Sequence, residues 1–231
     1  MPRAIGIPLL VVGGLVALLL GPSAVADSQG AEQVVEKMER RFETISGYRC
    51  ELHTISISKD LREERAFSYI FERPRSIRMR VLDGKDRGSV LIYKDGVVRG
   101  HRGGLFSWVV LAFRPSDSEV TTIRGGRVDQ SDFLFIMDVL RSAVKEGKLR
   151  LEGTDLLMGN EHYRLALLRH VDPLEGGAVA GTFWVDSKNL AVSQYELYGK
   201  DSKLIYKQSH DHLELSAPLP ISPQNLEGMV R

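Results

Sequence analysis

Apolar side chains first recur at helical spacing in the stretch AEQVVEKMERRFETISGY. Val34, Val35, Met38 and Phe42 fall on one stripe, and Glu and Arg residues fill most of the other positions. This spacing predicts an amphipathic helix with one apolar face. Gly47 marks the point where the helix ends.

The pattern then changes to alternation of apolar and polar residues, which is typical of strands with one buried face. About five such runs follow one another, separated by polar turns such as Asp95-Gly96. They predict neighbouring antiparallel strands in a sheet or barrel. In the two strands around Pro74, the residues on the apolar side are Phe67, Tyr69, Phe71, Ile77, Met79 and Val81.

A second helix interrupts the strands, and about five more strands follow it. The stretch QSDFLFIMDVLRSAVKEG offers Ser131 or Asp132 as the N-cap and Gly147 as the end. Its apolar stripe contains Phe133, Ile136, Met137, Leu140 and Val144. The order of helix, strands, helix, strands predicts an α+β fold in which helices cover one face of a mostly antiparallel sheet.

The first 26 residues have a pattern of their own. Arg3 precedes an apolar run from Ile5 to Leu20, and the small residues Ala24-Val25-Ala26 follow. This is the organisation of a cleaved signal peptide. The alternative is a retained membrane anchor, but the run is shorter than the ~20 residues that a spanning helix needs. We therefore expect residues 1–26 to be removed and the mature protein to lie in the periplasm.

The rest of the chain has balanced charge, because Arg3 is the only charged residue among the first 26 and the whole chain has 31 basic and 30 acidic residues. Balanced charge argues against a general nucleic-acid binder. We expect one domain over residues 27–217 and an irregular, proline-containing tail over residues 218–231. Cys50 is the only cysteine, so no internal disulfide can form, and its strand-like surroundings indicate a buried structural thiol.

Two histidines give the sharpest indication of an enzyme. His210 and His212, in SHDHLEL, are predicted on the same face of a strand and could supply two zinc ligands. No third ligand follows at a recognised spacing, and a polar outer strand face is the simpler interpretation. The sequence has no G-x-S-x-G, H-E-x-x-H or P-loop motif. We expect no catalytic residue, no metal, no cofactor and no enzymatic activity.

Four arginines lie close together around Pro74. Arg78 and Arg80 alternate with apolar neighbours and are expected to face water, as is Arg75 in the turn. Arg73 instead has the strand phase of the preceding aromatic residues. A buried guanidinium is unfavourable unless it is hydrogen-bonded or paired. Arg73 therefore either snorkels at the strand end or donates to carbonyls of a covering loop or helix, and the residues alone favour snorkelling.

The ordered series of elements resembles the LolA/LolB-type periplasmic lipoprotein carriers and their LolA-like relatives. The segments that carry the resemblance are VVEKMERRFETISGY, ERP, VLIYKDG, DFLFIMDVL and FWVDSKNLAVSQYELYGKDSKLIYKQSHDHLEL. Together they extend over about residues 31–217. The resemblance implies an unclosed β half-barrel of about ten to eleven strands, with helices covering its concave apolar face.

The resemblance also implies a function, which is to hold acyl chains in the cavity without covalent chemistry. The family's arginine before proline falls on Arg73, where it would bond to the covering helix and hold the lid closed. Expected partners are lipid acyl chains or lipoproteins, with membrane-associated donor and acceptor proteins, and the carrier is expected to be a monomer. The alternative is an envelope signalling or protein-interaction module on the same fold. The expected cavity residues are Phe67, Tyr69, Phe71, Ile77, Met79, Val81, Phe133, Ile136 and Met137.

Overall fold

The computed structural model describes residues 27–84, 86–104, 108–171 and 177–215. The signal peptide expected at residues 1–26 and the tail expected at residues 218–231 lie outside these ranges. No helix within them is both long enough and apolar enough to cross a membrane.

The described residues form two helices and eleven strands, in the predicted order. Six strands precede the second helix and five follow it, and short 3-10 turns at Ser118–Val120 and Val128–Gln130 lie just before that helix. The elements are α1 (Ser28–Glu43), β1 (Gly47–Ser58), β2 (Leu61–Glu72), β3 (Ser76–Val81), β4 (Val90–Lys94), β5 (Val97–His101), β6 (Leu111–Phe113), α2 (Phe133–Lys145), β7 (Leu149–Leu157), β8 (Asn160–Val171), β9 (Ala178–Asp186), β10 (Val192–Tyr198) and β11 (Leu204–Leu215).

All eleven strands belong to one antiparallel sheet, in the order β6-β5-β4-β3-β2-β1-β11-β10-β9-β8-β7. Consecutive strands pair with each other, except for β6 and β7, and at the centre of the sheet β1 pairs with β11. Because β6 and β7 do not pair with each other, the sheet stays open along one side. The predicted α+β half-barrel is therefore confirmed.

Both helices pack on the concave face, at the end of the sheet that carries the β2–β3 turn. We call this the closed end, and the opposite end, with the β1–β2 turn, the open end. The Tyr48 ring stacks on Phe133 of α2, with centroids 4.4 Å apart, and on Phe71 of β2, at 5.1 Å. Phe42 of α1 meets the same Phe133 ring edge-on at 5.6 Å. Aromatic side chains thus join both helices to the sheet.

The convex face contains the two arginines of β3. Arg80 is exposed, as predicted, whereas Arg78 is partly buried. They pair in register with Val90 and Ile92 of β4, which are buried in a small outer cluster with Ile70. The aliphatic parts of the arginines are therefore next to apolar surface, which is the usual arrangement for long charged side chains on an outer face.

Candidate apolar-ligand cavity

A cavity of about 580 Å³ lies beneath the concave face, towards the open end. This volume falls in the range of roughly 300–1,000 Å³ that is common for small-molecule sites. Its wall comes from β1–β6, β8–β11, one face of α2 and the segment that joins β6 to α2. Within the described part of the chain, no lining residue belongs to α1. The cavity is thus bounded by the sheet, α2, the segment that joins β6 to α2, and residues of the β3–β4 and β5–β6 loops.

The β6–α2 segment, residues 114–132, crosses one side of the cavity and contacts the β1–β2 hairpin at two points. The Ile123 amide donates to the Glu63 carboxylate at 3.3 Å, and Arg124 Nη1 donates to the Ile57 carbonyl at 3.3 Å. Val120 and Val128 of the segment are buried against the core. These contacts place the segment over the open end.

Four of the nine residues predicted from the sequence line this cavity: Phe67, Met79, Val81 and Ile136. The three on β2 and β3 lie towards the open end of their strands, where Phe67 is paired in register with Val81. Ile136 faces them from α2. The structure brings these four side chains together around one apolar space.

The other five predicted residues pack in the core beside the cavity and do not line it. Tyr69, Phe71 and Ile77 lie nearer the closed end of the same strands, where the helices cover them. Phe133 and Met137 lie on α2 against Met38 and Phe42 of α1. The predicted set is therefore divided between the cavity and the helix-covered core by position along the strands.

A second part of the cavity wall comes from β1 and β8–β11, for which the sequence predicted no lining residue. Their side chains alternate inwards, as in β2 and β3, so the same alternation could have identified them. The main apolar and aromatic members of this group are Leu52, Leu167, Val179, Phe183, Tyr195, Leu197 and Tyr206.

The tyrosine hydroxyl groups of this part of the wall are hydrogen-bonded to a buried glutamine of β11. Tyr206 and Tyr195 both donate to Oε1 of Gln208, at 2.7 and 3.2 Å, and Gln208 Nε2 donates to the Ser131 carbonyl at 3.3 Å. Burial raises the pKa of Tyr206 to about 12, so its hydroxyl stays a neutral donor. The rings can therefore present apolar surface to a ligand while their hydroxyl groups remain satisfied.

Arg73 lies against the end of α1. Its Nε donates to the Ile45 carbonyl at 2.9 Å, and its Nη2 donates to the Phe42 carbonyl at 2.7 Å. The guanidinium carbon is also 5.1 Å from the centre of the Phe42 ring. Carbonyls at a helix end lack partners within the helix, so a cation there satisfies both hydrogen bonding and the helix dipole. Arg73 thus joins the β2–β3 turn to a covering helix.

The comparisons with known proteins give structural matches only. No protein-family model matches the sequence, and no curated protein matches it. An uncharacterised conserved protein from Thermus thermophilus superposes with a TM-score of 0.52 at 11% identity, over 86% of this chain and 93% of that one. The lipoprotein LppX of Mycobacterium tuberculosis superposes with a TM-score of 0.51 at 10% identity, over 84% of this chain and 98% of LppX. LprF from Mycobacterium bovis superposes with a TM-score of 0.50 at 12% identity, over 85% of this chain and 98% of LprF.

The architecture of the chain now agrees with these matches and with the resemblance in the sequence. The fold is LolA-like. At such low identities the similarity establishes the fold alone, so the chemistry of the site has to be argued from this chain's own residues.

In this LolA-like half-barrel the expectation that Arg75 faces water is wrong. Its Nε and Nη2 donate to the two carboxylate oxygens of Asp132, at 2.8 and 3.2 Å, and the Asp132 side chain is completely buried. Asp132 is also the N-cap of α2, because its carboxylate accepts the Phe135 amide at 2.8 Å. Burial raises the pKa of Asp132, although the Phe135 amide and the Arg75 charge oppose that rise. Arg75 therefore joins the turn to α2.

Two tyrosines complete the attachment of α2. The Phe133 amide donates to the Tyr48 hydroxyl at 3.2 Å, and the Tyr69 and Ser131 hydroxyl groups lie 3.2 Å apart. Burial raises the pKa of both tyrosines well above the ordinary value. Neutral phenols, one carboxylate and one guanidinium thus hold the first turn of α2 against the sheet.

The predicted same-face pair of His210 and His212 is also wrong. His210 is buried against the Phe133 ring, with centroids 4.7 Å apart, whereas His212 is exposed. Opposite β1, the register shifts between Arg49 and Glu51, and His212 has a φ of 53° in the irregular stretch of β11. A bulge of this kind breaks the alternation from which the pair was predicted. Within the described ranges, no group of three or more His, Cys, Asp or Glu side chains could hold a metal ion.

Proposed function

We propose that this protein is a periplasmic carrier that holds the acyl chains of a lipid or lipoprotein in the cavity, without covalent chemistry. The observation that carries the proposal is the apolar cavity of about 580 Å³ between the sheet and α2. The LolA-like fold and the signal-peptide pattern of residues 1–26 support it.

Apolar burial is sufficient to drive such binding. Each buried methylene contributes about 0.8 kcal/mol, so a chain of roughly ten buried methylenes gains about 8 kcal/mol. Lost translational and conformational freedom offsets a large part of this gain. The lining is formed mainly by Leu, Val, Ile, Met and aromatic side chains, and Met79 adds a side chain that can adapt to irregular ligands.

We further propose that Arg73 acts as a latch in this carrier. Arg73 holds the last turn of α1, and Met38 and Phe42 of α1 pack against Phe133 and Met137 of α2. Because Ile136 of α2 lines the cavity, release of Arg73 would loosen α1 first and then the α2 wall. Ligand entry and exit would follow that movement.

The decisive experiment compares two leucines that are adjacent on β8. Leu167 is buried and lines the cavity, whereas Leu168 is partly buried and is outside both the cavity and the core cluster. Leu167→Trp is expected to fill part of the cavity and weaken binding of an uncharged fluorescent probe, 1-N-phenylnaphthylamine, by about tenfold or more. Leu168→Trp is expected to bind the probe like the unchanged protein.

Native mass spectrometry of the protein purified from a periplasm provides the second measurement. Co-purifying lipid is expected on the unchanged chain and on Leu168→Trp, and less of it on Leu167→Trp. A chain that carries no lipid and binds no probe, or a pair of variants that bind equally, would contradict the proposal.

A further inference from the structure

The β3–β4 and β5–β6 loops meet in a corner at the open end of the cavity. The Gly103 amide donates to the Ser89 hydroxyl oxygen at 3.0 Å. A Cβ atom at Gly103 would lie only 2.2 Å from the Arg87 carbonyl oxygen, so the two loops touch backbone to backbone. This contact requires glycine, and it holds the backbone of the neighbouring Arg102 at the cavity rim.

Ser89 presents a hydrogen-bond donor inside this corner. It is 7% exposed and lines the cavity. A hydroxyl has one donor hydrogen and two lone pairs. The oxygen accepts the Gly103 amide, and among the described residues the structure gives no acceptor for the hydroxyl hydrogen. That hydrogen is available to a ligand.

Arg102 is the cation at the cavity that has no carboxylate partner among the described residues. Three arginines line the cavity, and the other two are paired: Arg65 with Glu63 at 2.7 Å and Arg127 with Asp129 at 2.8 Å.

Two carboxylates also line the cavity. Asp86 is 3.9 Å from Arg65. Glu119 lies on the β6–α2 segment and accepts a hydrogen bond from Ser118 at 3.2 Å. Arg102 is therefore the cation that can pair with a charge from outside the chain.

We propose that this corner binds the anionic head group of the ligand whose acyl chain occupies the cavity. Arg102 pairs with the carboxylate or phosphate of the head group, and the Ser89 hydroxyl donates to one of its oxygens. The inference rests on the proposed carrier function and specifies its ligand class: an amphiphile with an anionic head, as opposed to a neutral lipid.

The placement follows from the cost of burying charge. An ionised head group is strongly disfavoured in an apolar interior, so it remains at the rim while the chain enters. A guanidinium offers paired donors that match carboxylate and phosphate oxygens. Because Arg102 is exposed, the expected selectivity is modest, roughly fivefold, and high salt should reduce it.

The test measures displacement of 1-N-phenylnaphthylamine from the delipidated protein by three competitors. Hexadecanoate and hexadecanol have the same chain length and differ in charge, and lysophosphatidic acid has a phosphate head. Arg102→Gln is expected to weaken the binding of hexadecanoate or lysophosphatidic acid by about fivefold and to leave the binding of hexadecanol unchanged. The anion that loses more affinity in Arg102→Gln and in Ser89→Ala identifies the head group as carboxylate or phosphate.

Arg99→Gln is the matched control. Arg99 is an exposed arginine of β5, three residues before Arg102, and it does not line the cavity. This variant removes the same charge, and the three competitors should displace the probe from it as they do from the unchanged protein. Equal affinity for the charged and uncharged competitors, or equal losses in the two arginine variants, would overturn the head-group site while leaving the carrier proposal intact. Failure of the probe itself to bind would refute the carrier proposal as well.

Discussion

Arg75 and Asp132 form an ion pair in which the carboxylate is fully buried and the guanidinium is partly exposed. Removing one partner of such a pair leaves a buried charge without compensation. We expect Arg75→Gln to lower the free energy of unfolding by about 2–4 kcal/mol, measured by urea denaturation. Arg80→Gln, at an exposed site on the next strand, should change it by less than about 0.5 kcal/mol. Similar losses in both variants would show that the pair has no special role.

His210 should make stability depend on pH. Burial lowers its pKa to about 4, whereas an unfolded histidine titrates near 6.5. Between these values the unfolded chain binds a proton that the folded chain does not, so stability falls as the pH drops from about 6.5 to 4. The full effect is about 3 kcal/mol.

Urea midpoints measured across this pH range check the assignment. His210→Gln should flatten the slope of stability against pH, because the buried titrating group is gone. His212→Gln, which removes an exposed imidazole two residues away, should keep the slope. Equal slopes in the two variants would show that His210 is not responsible.

Alternation along the strands predicted the side on which Arg73 lies, because residue 73 directly continues β2. It could not predict Arg75, since a turn residue has no strand phase and Asp132 is distant in sequence. It failed for His212, because a bulge in β11 adds a residue that the pattern does not show. Alternation along the sequence therefore predicts the side of the sheet on which a residue lies only where the strand is regular.

At the scale of the elements, α1 is held by its contact with the β2–β3 turn. Arg73→Gln removes two charged hydrogen bonds to the end of this helix. We expect amide hydrogen exchange in α1 to rise by about tenfold or more, while exchange in β8 and β9 stays unchanged. The latch proposal further predicts that the fluorescent probe dissociates faster from Arg73→Gln than from the unchanged protein. Arg80→Gln serves as the control for both measurements.

The two readouts separate two roles of Arg73. Faster exchange in α1 with unchanged probe release would mean that Arg73 only stabilises the helix end. Unchanged exchange in α1 would mean that neither role holds.

Helical and strand periods predicted both helices, their apolar stripes and the inner face of β2 and β3. They did not predict how far along the strands the helices reach. Tyr69, Phe71 and Ile77 have the same phase as Phe67 and Met79, yet α1 and α2 cover only the first group. Whether an inward-facing residue lies under a helix or in the cavity depends on where the helices pack along the strands. That position is a tertiary property, which sequence periodicity does not encode.

At the scale of the molecule, hairpin signals predicted most neighbouring strands, because consecutive antiparallel strands usually pair. The central pairing of β1 with β11 joins residues that are 150 or more positions apart and has no local signal. That pairing turns two meanders into one curved sheet. The cavity wall therefore contains residues from both halves of the chain. Alternation can predict the inward face of each strand, but the β1–β11 pairing that brings the two halves into one wall has no sequence pattern.

The turn from Arg73 to Arg75 reaches both covering helices, although α1 and α2 are separated by about ninety residues of sequence. Surface turns ordinarily tolerate insertions and deletions, and Pro74 itself is exposed. Here one added residue would displace one guanidinium relative to the other, so the contact with either the Phe42 carbonyl or the Asp132 carboxylate would be lost. The length of this short turn is therefore constrained by two helices at once, because a change in it would break the contact with α1 or the contact with α2.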